Sequence, residues 1–128
     1  MNLIIDTHAL IWHIEGNKRL SKKVASVIEN TGNSVYVSKA SLWEMAIKIN
    51  LGKLEMSIPF DELEVYLEKN EFLILDYNFG HLKTLLTLPF HHSDPFDRLI
   101  ISQAITDDLT IITHDSIFRN YSVKLLPL

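Results

Sequence analysis

Five short runs of Ile, Val and Leu that do not alternate with polar residues, at 2–6, 34–38, 72–75, 110–113 and 122–126, constrain this chain more than any other feature. A run that is apolar at every position, not at every second one, belongs to a strand covered on both faces. The segments between them carry helical spacing: Val24, Val27 and Ile28 lead to Gly32, and Leu42, Met45, Ala46 and Ile49 lead to Gly52. Each glycine is placed to end its helix. Further amphipathic helices are predicted over 61–70, after Ile58-Pro59-Phe60, and over 78–87, before Leu88-Pro89. Strands alternating with helices imply an α/β fold on a parallel sheet. With 128 residues, 47% of them apolar, the chain can bury a core of its own. No repeat or linker divides it, so one domain over 1–128 is expected.

Four acids sit just past these runs: Asp6 after Leu3-Ile4-Ile5, Glu44 beyond Val35-Tyr36-Val37, Asp97 within Asp94-Pro95-Phe96-Asp97-Arg98, and Asp115 after Ile111-Ile112-Thr113. In a parallel sheet they meet at the carboxyl edge, where open α/β folds bind ligands. Carboxylates crowded together cannot all stay charged without a cation. Each acid also has a local explanation. Asp6 suits the N-cap of a helix starting at Thr7, and Asp115 a turn or cap. Asp94 suits an N-cap, with Pro95 first in the helix and Asp97 third, where negative charge favours the dipole. Glu44 lies opposite the Leu42, Met45, Ala46 and Ile49 face and four residues before Lys48, the spacing of a solvated ion pair. Against this, Trp43, Ile47 and Leu51 form a second apolar flank that would bury it. Separate caps leave the shared placement unexplained.

Arg98 has two possible partners, a neighbouring carboxylate or a phosphate. His91-His92 beside Asp94 resembles a ligand pair, but consecutive loop residues point apart and suit a polar surface. His8 and His114 flank the proposed pocket. Absence of cysteine excludes disulfides, thiolate metal sites and cysteine nucleophiles. The net charge of -4 opposes broad nonspecific binding to nucleic acid. The start of the chain has no basic leader, and its apolar stretch is too short for a signal peptide or membrane span, so a soluble cytoplasmic protein without membrane contact is expected.

Four stretches together resemble the PIN-domain ribonucleases, and within them the VapC-type toxins of bacterial toxin–antitoxin pairs. They are Ile5-Asp6-Thr7-His8, SKASLWEMAIKINLGKL from Ser38 to Leu54, HHSDPFDRLIISQA from His91 to Ala104, and LTIITHD from Leu109 to Asp115. They run in family order over nearly the whole chain. The resemblance implies a PIN-like three-layer sandwich with a central, mostly parallel sheet of about five strands flanked by helices. It places the acidic quartet on Asp6, Glu44, Asp97 and Asp115, as catalytic residues and ligands of Mg²⁺ or Mn²⁺. Asp6 and Asp97 are the leading direct ligands. Thr7, His8, Asp94, Arg98, Thr113 and His114 are expected around them or against substrate.

Hard divalent cations on carboxylates suit phosphodiester hydrolysis, because they activate water and stabilise charge on phosphorus and on the leaving oxygen. The resemblance further implies an endoribonuclease leaving a 5′-phosphate and a 3′-hydroxyl. It implies an RNA substrate, a VapB-type antitoxin partner whose helix occupies an apolar groove, and a homodimer. Lys18, Arg19, Lys22, Lys23, Lys39, Lys48 and Lys53 are candidates to steer RNA phosphates. The competing readings are a phosphatase-like hydrolase and a non-catalytic metal- or RNA-binding α/β module. A haloacid dehalogenase-like phosphatase wants a second Asp two residues after the first, which Asp6-Thr7-His8 lacks. A receiver wants a lysine that Thr113-His114-Asp115 does not offer.

Overall fold

The computed structural model describes residues 1–126. Its elements, in chain order, are β1 (Asn2–Ile5), α1 (Thr7–Glu15), α2 (Lys22–Glu29), β2 (Ser34–Ser38), α3 (Lys39–Asn50), α4 (Phe60–Lys69), β3 (Phe72–Leu75), α5 (Phe79–Thr87), α6 (Pro95–Asp107), β4 (Thr110–Ile112) and β5 (Lys124–Leu125), with a 3-10 turn at Ser116–Asn120 between the last two strands. All five apolar runs contain a strand. The last strand is shorter than its run, because Val123 turns back to donate to the Tyr121 carbonyl before pairing begins at Lys124.

The sheet has the order β3-β2-β1-β4-β5, and every pairing is parallel. Side chains of β1 alternate between two cores, one on each face. Leu3 and Ile5 face α1, α2, α3 and α4 through Leu10, Val24, Met45 and Leu67. Ile4 faces α6 and the 3-10 turn through Ile100, Ile101 and Phe118. The result is a three-layer α/β sandwich. Ile4 and Ile5 have no exposed surface, and their burial stabilises the fold by roughly 2 kcal/mol each.

Helix boundaries follow local chemistry. The Asp6 carboxylate accepts from Ala9 N–H at 2.8 Å and opens α1, and Asp94 accepts from Phe96 and Asp97 N–H at the start of α6. Gly52, at φ +70°, ends α3 as expected, with its N–H on the Ile49 carbonyl. Gly32 does not end α2. That helix stops at Glu29, and Asn30 caps it in an extended conformation. Asn30 Oδ1 then accepts from Gly32 N–H at 2.9 Å, so a polar side chain makes the turn that glycine was expected to make.

His81, fully buried on α5, joins the two outer helices. Its Nδ1 accepts from Asn78 N–H while Asn78 Oδ1 accepts from His81 N–H, a reciprocal cap. Its Nε2 lies 2.9 Å from Asp107 on α6. His81→Leu is expected to lower unfolding free energy by about 2 kcal/mol in urea titration, since the helix cap and the half-buried bond to Asp107 are both lost.

Candidate metal centre

The strand order reverses at β1, whose chain neighbours run to β2 and β3 on one side while β4 and β5 lie on the other. Ligands of open parallel sheets occupy that crevice. Ile5 is in register with Val37 and with Ile112, so Asp6, Ser38 and Thr113 emerge side by side. Asp6 N–H closes the edge on the Ile112 carbonyl at 2.9 Å. The Thr113 hydroxyl donates to Asp6 Oδ2 and accepts from Asp115 N–H at 3.0 Å. Two acids from different strands are thus coupled through one hydroxyl.

Asp97 comes from the first turn of α6 and Glu44 from α3, which pack on each other. Burial pushes the Asp97 carboxyl up to about 8, and the negative charges of Asp94, Asp6, Glu44 and Asp115 reinforce it. Burial also raises Asp6, against the opposing pull of its Thr113 and Ala9 hydrogen bonds and of His8. Asp97 therefore feels the charge of all three other acids, and Asp6 that of Asp115. Their approach is unequal. Asp97 and Asp115 have ligand atoms within 4.8 Å of each other, grouped with His92 and not with Asp6 or Glu44.

Glu44 is only 3% exposed, contrary to the outward face its helical spacing assigned. The expected Lys48 partner is present at 2.6 Å on Oε2, but the pair sits on the rim of the acidic cluster, not free in solvent. The Glu44 hydrogen bond, and the charges of Asp94 and Asp97 beyond it, hold the Lys48 ammonium above its ordinary range. Glu44 Oε1 is buried and has no hydrogen-bond partner among the described residues. A buried carboxylate oxygen without a donor is costly.

His92 is the residue sequence reasoning passed over. It is buried, with Nε2 at 3.0 Å from Asp97 Oδ2 and 2.9 Å from Asp115 Oδ2. The signal was its place beside Asp94 in the 91–97 stretch, where polar surface was preferred. His91 packs its ring edge-on to Tyr121 instead.

The remaining expected residues divide. His8 and His114 line a shallow cleft of about 220 Å³ with Asp6, Trp12 and Asp115. Thr7 is buried and donates to Ser41 on α3 at 2.9 Å, which ties two helices together. Asp94 caps α6 and adds charge beside Asp97. Arg98 corrects the expectation of a carboxylate or phosphate partner: it is buried, and its guanidinium reaches the Pro89 carbonyl at 2.8 Å and the Leu88 carbonyl at 3.4 Å, with Phe90 stacked at 4.0 Å. A planar fork of donors suits the free carbonyls of a tight loop better than one carboxylate already engaged in a cap.

Sheet order and edge acids together define an α/β protein with an acidic crevice at its switch point. The PIN domain family model matches residues 3–124, and the chain belongs to that family. No curated protein matches the sequence. Among solved structures, it is similar to a chain of VapBC2 from Rickettsia felis bound to a promoter DNA fragment (TM-score 0.74, 17% identity, 98% of each chain covered). It is similar also to a toxin–antitoxin complex from Klebsiella pneumoniae (TM-score 0.69, 15% identity, 98% of this chain and 96% of that one). A third likeness is to VapBC-1 from nontypeable Haemophilus influenzae (TM-score 0.65, 17% identity, 98% and 97%). Among the described residues no helix is long and apolar enough to cross a membrane.

Proposed function

We propose that this chain is a divalent-metal-dependent endoribonuclease and the toxin of a toxin–antitoxin pair, a single PIN domain acting on RNA in the cytoplasm. The observation that carries the reading is an unmet need for positive charge at one sheet edge. Glu44 Oε1 is buried without a donor, and Asp97 is held so high that it keeps a proton near neutrality. Oxygen donors of this kind suit Mg²⁺ or Mn²⁺, so the residues present fit the ion that the family implies. Asp6, Glu44, Asp97 and Asp115 would hold it. When bound, such an ion activates water and stabilises charge on the phosphorus and the leaving oxygen.

The chain's own groups supply the rest. Ala9 N–H and the Thr113 hydroxyl fix the Asp6 carboxylate, and Thr113 carries that order to Asp115. Lys48, its side chain 38% exposed beside buried Glu44, is placed to meet a backbone phosphate at the rim. His8 and His114 border the same cleft. Solved neighbours come from VapBC and other toxin–antitoxin complexes, which supports an antitoxin partner; a second copy of the chain is part of the proposal on the family resemblance alone. An apolar groove of about 340 Å³ between α3, α4 and β3, lined by Leu42, Phe60, Leu63 and Ile74 with Asp61 and Glu64 on it, suits an amphipathic helix carrying basic residues.

The test is cleavage of single-stranded RNA by the purified chain. Activity is expected with Mg²⁺ or Mn²⁺, absent with chelator, and to leave 5′-phosphate ends. Asp6→Asn is expected to slow it by about 100-fold or more, since even the outer hydrogen-bond partners of metal ligands cost about 10- to 100-fold when removed. RNA binding without cleavage would replace this reading with a binding module, and phosphomonoester hydrolysis with a phosphatase.

A further inference from the structure

Proximity alone would make His92 a third ligand alongside Asp97 and Asp115. The bond on its far side says otherwise. Asp94 N–H points at His92 Nδ1 from 3.2 Å, and a backbone N–H can only donate. Nδ1 must therefore present its lone pair, which in a neutral imidazole puts the single ring proton on Nε2. The nitrogen facing the two carboxylates is a donor with no lone pair to offer a cation.

We propose that His92 is a positioning residue: its Nε2–H, fixed by Asp94 N–H, donates to Asp115 with the Asp97 carboxylate against the same nitrogen, and so holds the two acids together for a divalent cation without ligating the ion. The inference rests on the metal-centre reading above and deepens it.

The ring has little freedom to do anything else. His92 N–H donates to Tyr121 Oη at 2.8 Å, and Tyr121 in turn donates to the Pro89 carbonyl at 2.8 Å. The imidazole packs edge-on to Phe118, with ring centroids 5.7 Å apart. Phe118 is fully buried on the sheet, so the ring is braced by the core while its donor reaches the edge. The two acids it joins come from α6 and from the end of β4, which share no direct hydrogen bond. Asp115 is itself the cap of the 3-10 turn through Ile117 N–H, and Asp97 lies on a helix whose own cap is Asp94. A single N–H donated to Asp115 Oδ2 at 2.9 Å thus sits where Asp97 Oδ2, on an independently anchored element, also approaches Nε2 to 3.0 Å. With a cation on Asp115, that carboxylate would keep a lone pair to accept from Nε2–H, as in other metal sites whose ligands are oriented by outer hydrogen bonds.

Two measurements test this on the metal-loaded chain without RNA. In ¹⁵N NMR of the histidine rings at neutral pH, Nε2 of His92 is expected to stay protonated and Nδ1 bare, before and after saturation with Mg²⁺. By calorimetry, His92→Ala is expected to weaken Mn²⁺ binding by about 10- to 100-fold, and His92→Gln, whose amide places a donor near Nε2, to recover most of it. Loss of the Nε2 proton on adding Mg²⁺ would make His92 a ligand and overturn the proposal. So would unchanged Mn²⁺ affinity in a folded His92→Ala; if that variant does not fold, the NMR result on the parent decides. A parent that binds neither ion ends both this inference and the proposed function. A parent that binds ions as expected but cleaves no RNA ends only the nuclease reading.

Discussion

Asp97→Asn is expected to unfold at a higher temperature than the parent in metal-free buffer at pH 8, while cleaving RNA on the order of 100-fold more slowly or worse. The two effects have one cause. Burial and four neighbouring acids raise the Asp97 carboxyl to about 8 from an ordinary 3.8. An acid held higher in the folded state than in the unfolded one favours folding while it is protonated. That contribution is complete below the ordinary carboxylate range and falls away as pH climbs toward about 8. The full gap caps the effect at about 6 kcal/mol, at roughly 1.4 kcal/mol per pH unit. Partial contact with water and relaxation of neighbours reduce the expected gain to about 2 kcal/mol, or roughly 6 °C for a domain of this size.

The comparison is therefore made across pH. At pH 5 Asp97 is neutral in the folded parent but already ionised in the unfolded chain, so about a third of the effect is present and the variant melts roughly 2 °C above the parent; by pH 8 the gap is nearly at its full width. Asn keeps an oxygen where Asp97 Oδ2 approaches His92 Nε2, so the packing there is spared. Added Mg²⁺ is expected to stabilise the parent by mass action and to leave the variant nearly unmoved. A variant equally destabilised at pH 5 and pH 8 would make Asp97 a helix-start residue only, and the centre would lose its principal acid. A stabilising change that removes activity is the usual signature of strain kept for function.

The strands were legible because apolar runs without alternation have one physical use, and parallel pairing followed from what lay between them. Asp6 and Asp94 were legible as caps for the same local reason. Glu44 was not. A helical wheel assumes one buried side, but α3 packs on α6 as well as on the sheet layer, so Glu44 is enclosed while Trp43, two-thirds exposed, turns outward against Phe96. Polarity and exposure are inverted there. The family resemblance supplied the quartet that periodicity could not, yet it carried no role for His92. The loop from Leu88 to Ser93 has no period to read, and a residue 98 positions into the chain fixes its path.

That residue gives the largest expected loss of stability. Arg98→Ala is expected to lower unfolding free energy by about 3 kcal/mol and the melting temperature by roughly 10 °C. The guanidinium donates to Leu88 and Pro89 carbonyls and lies within 3.5 Å of the His92 carbonyl and Tyr121 hydroxyl. Removing it leaves the Pro89 carbonyl its Tyr121 donor but strands the Leu88 and His92 carbonyls, each costing about 1–3 kcal/mol if unmet, less whatever water recovers. Arg98→Lys is expected to restore little, since one ammonium cannot serve acceptors spread along a planar fork. The loss should also reach the metal centre, because His92 follows the loop that Arg98 holds. His81→Leu supplies the contrast: it loosens the α5–α6 joint, away from that loop, so at matched folded fraction it should bind Mn²⁺ as the parent does while Arg98→Ala binds it several-fold more weakly. Equal Mn²⁺ affinity in the two variants would mean that Arg98 braces the fold alone and that the loop's path does not set the position of the His92 donor.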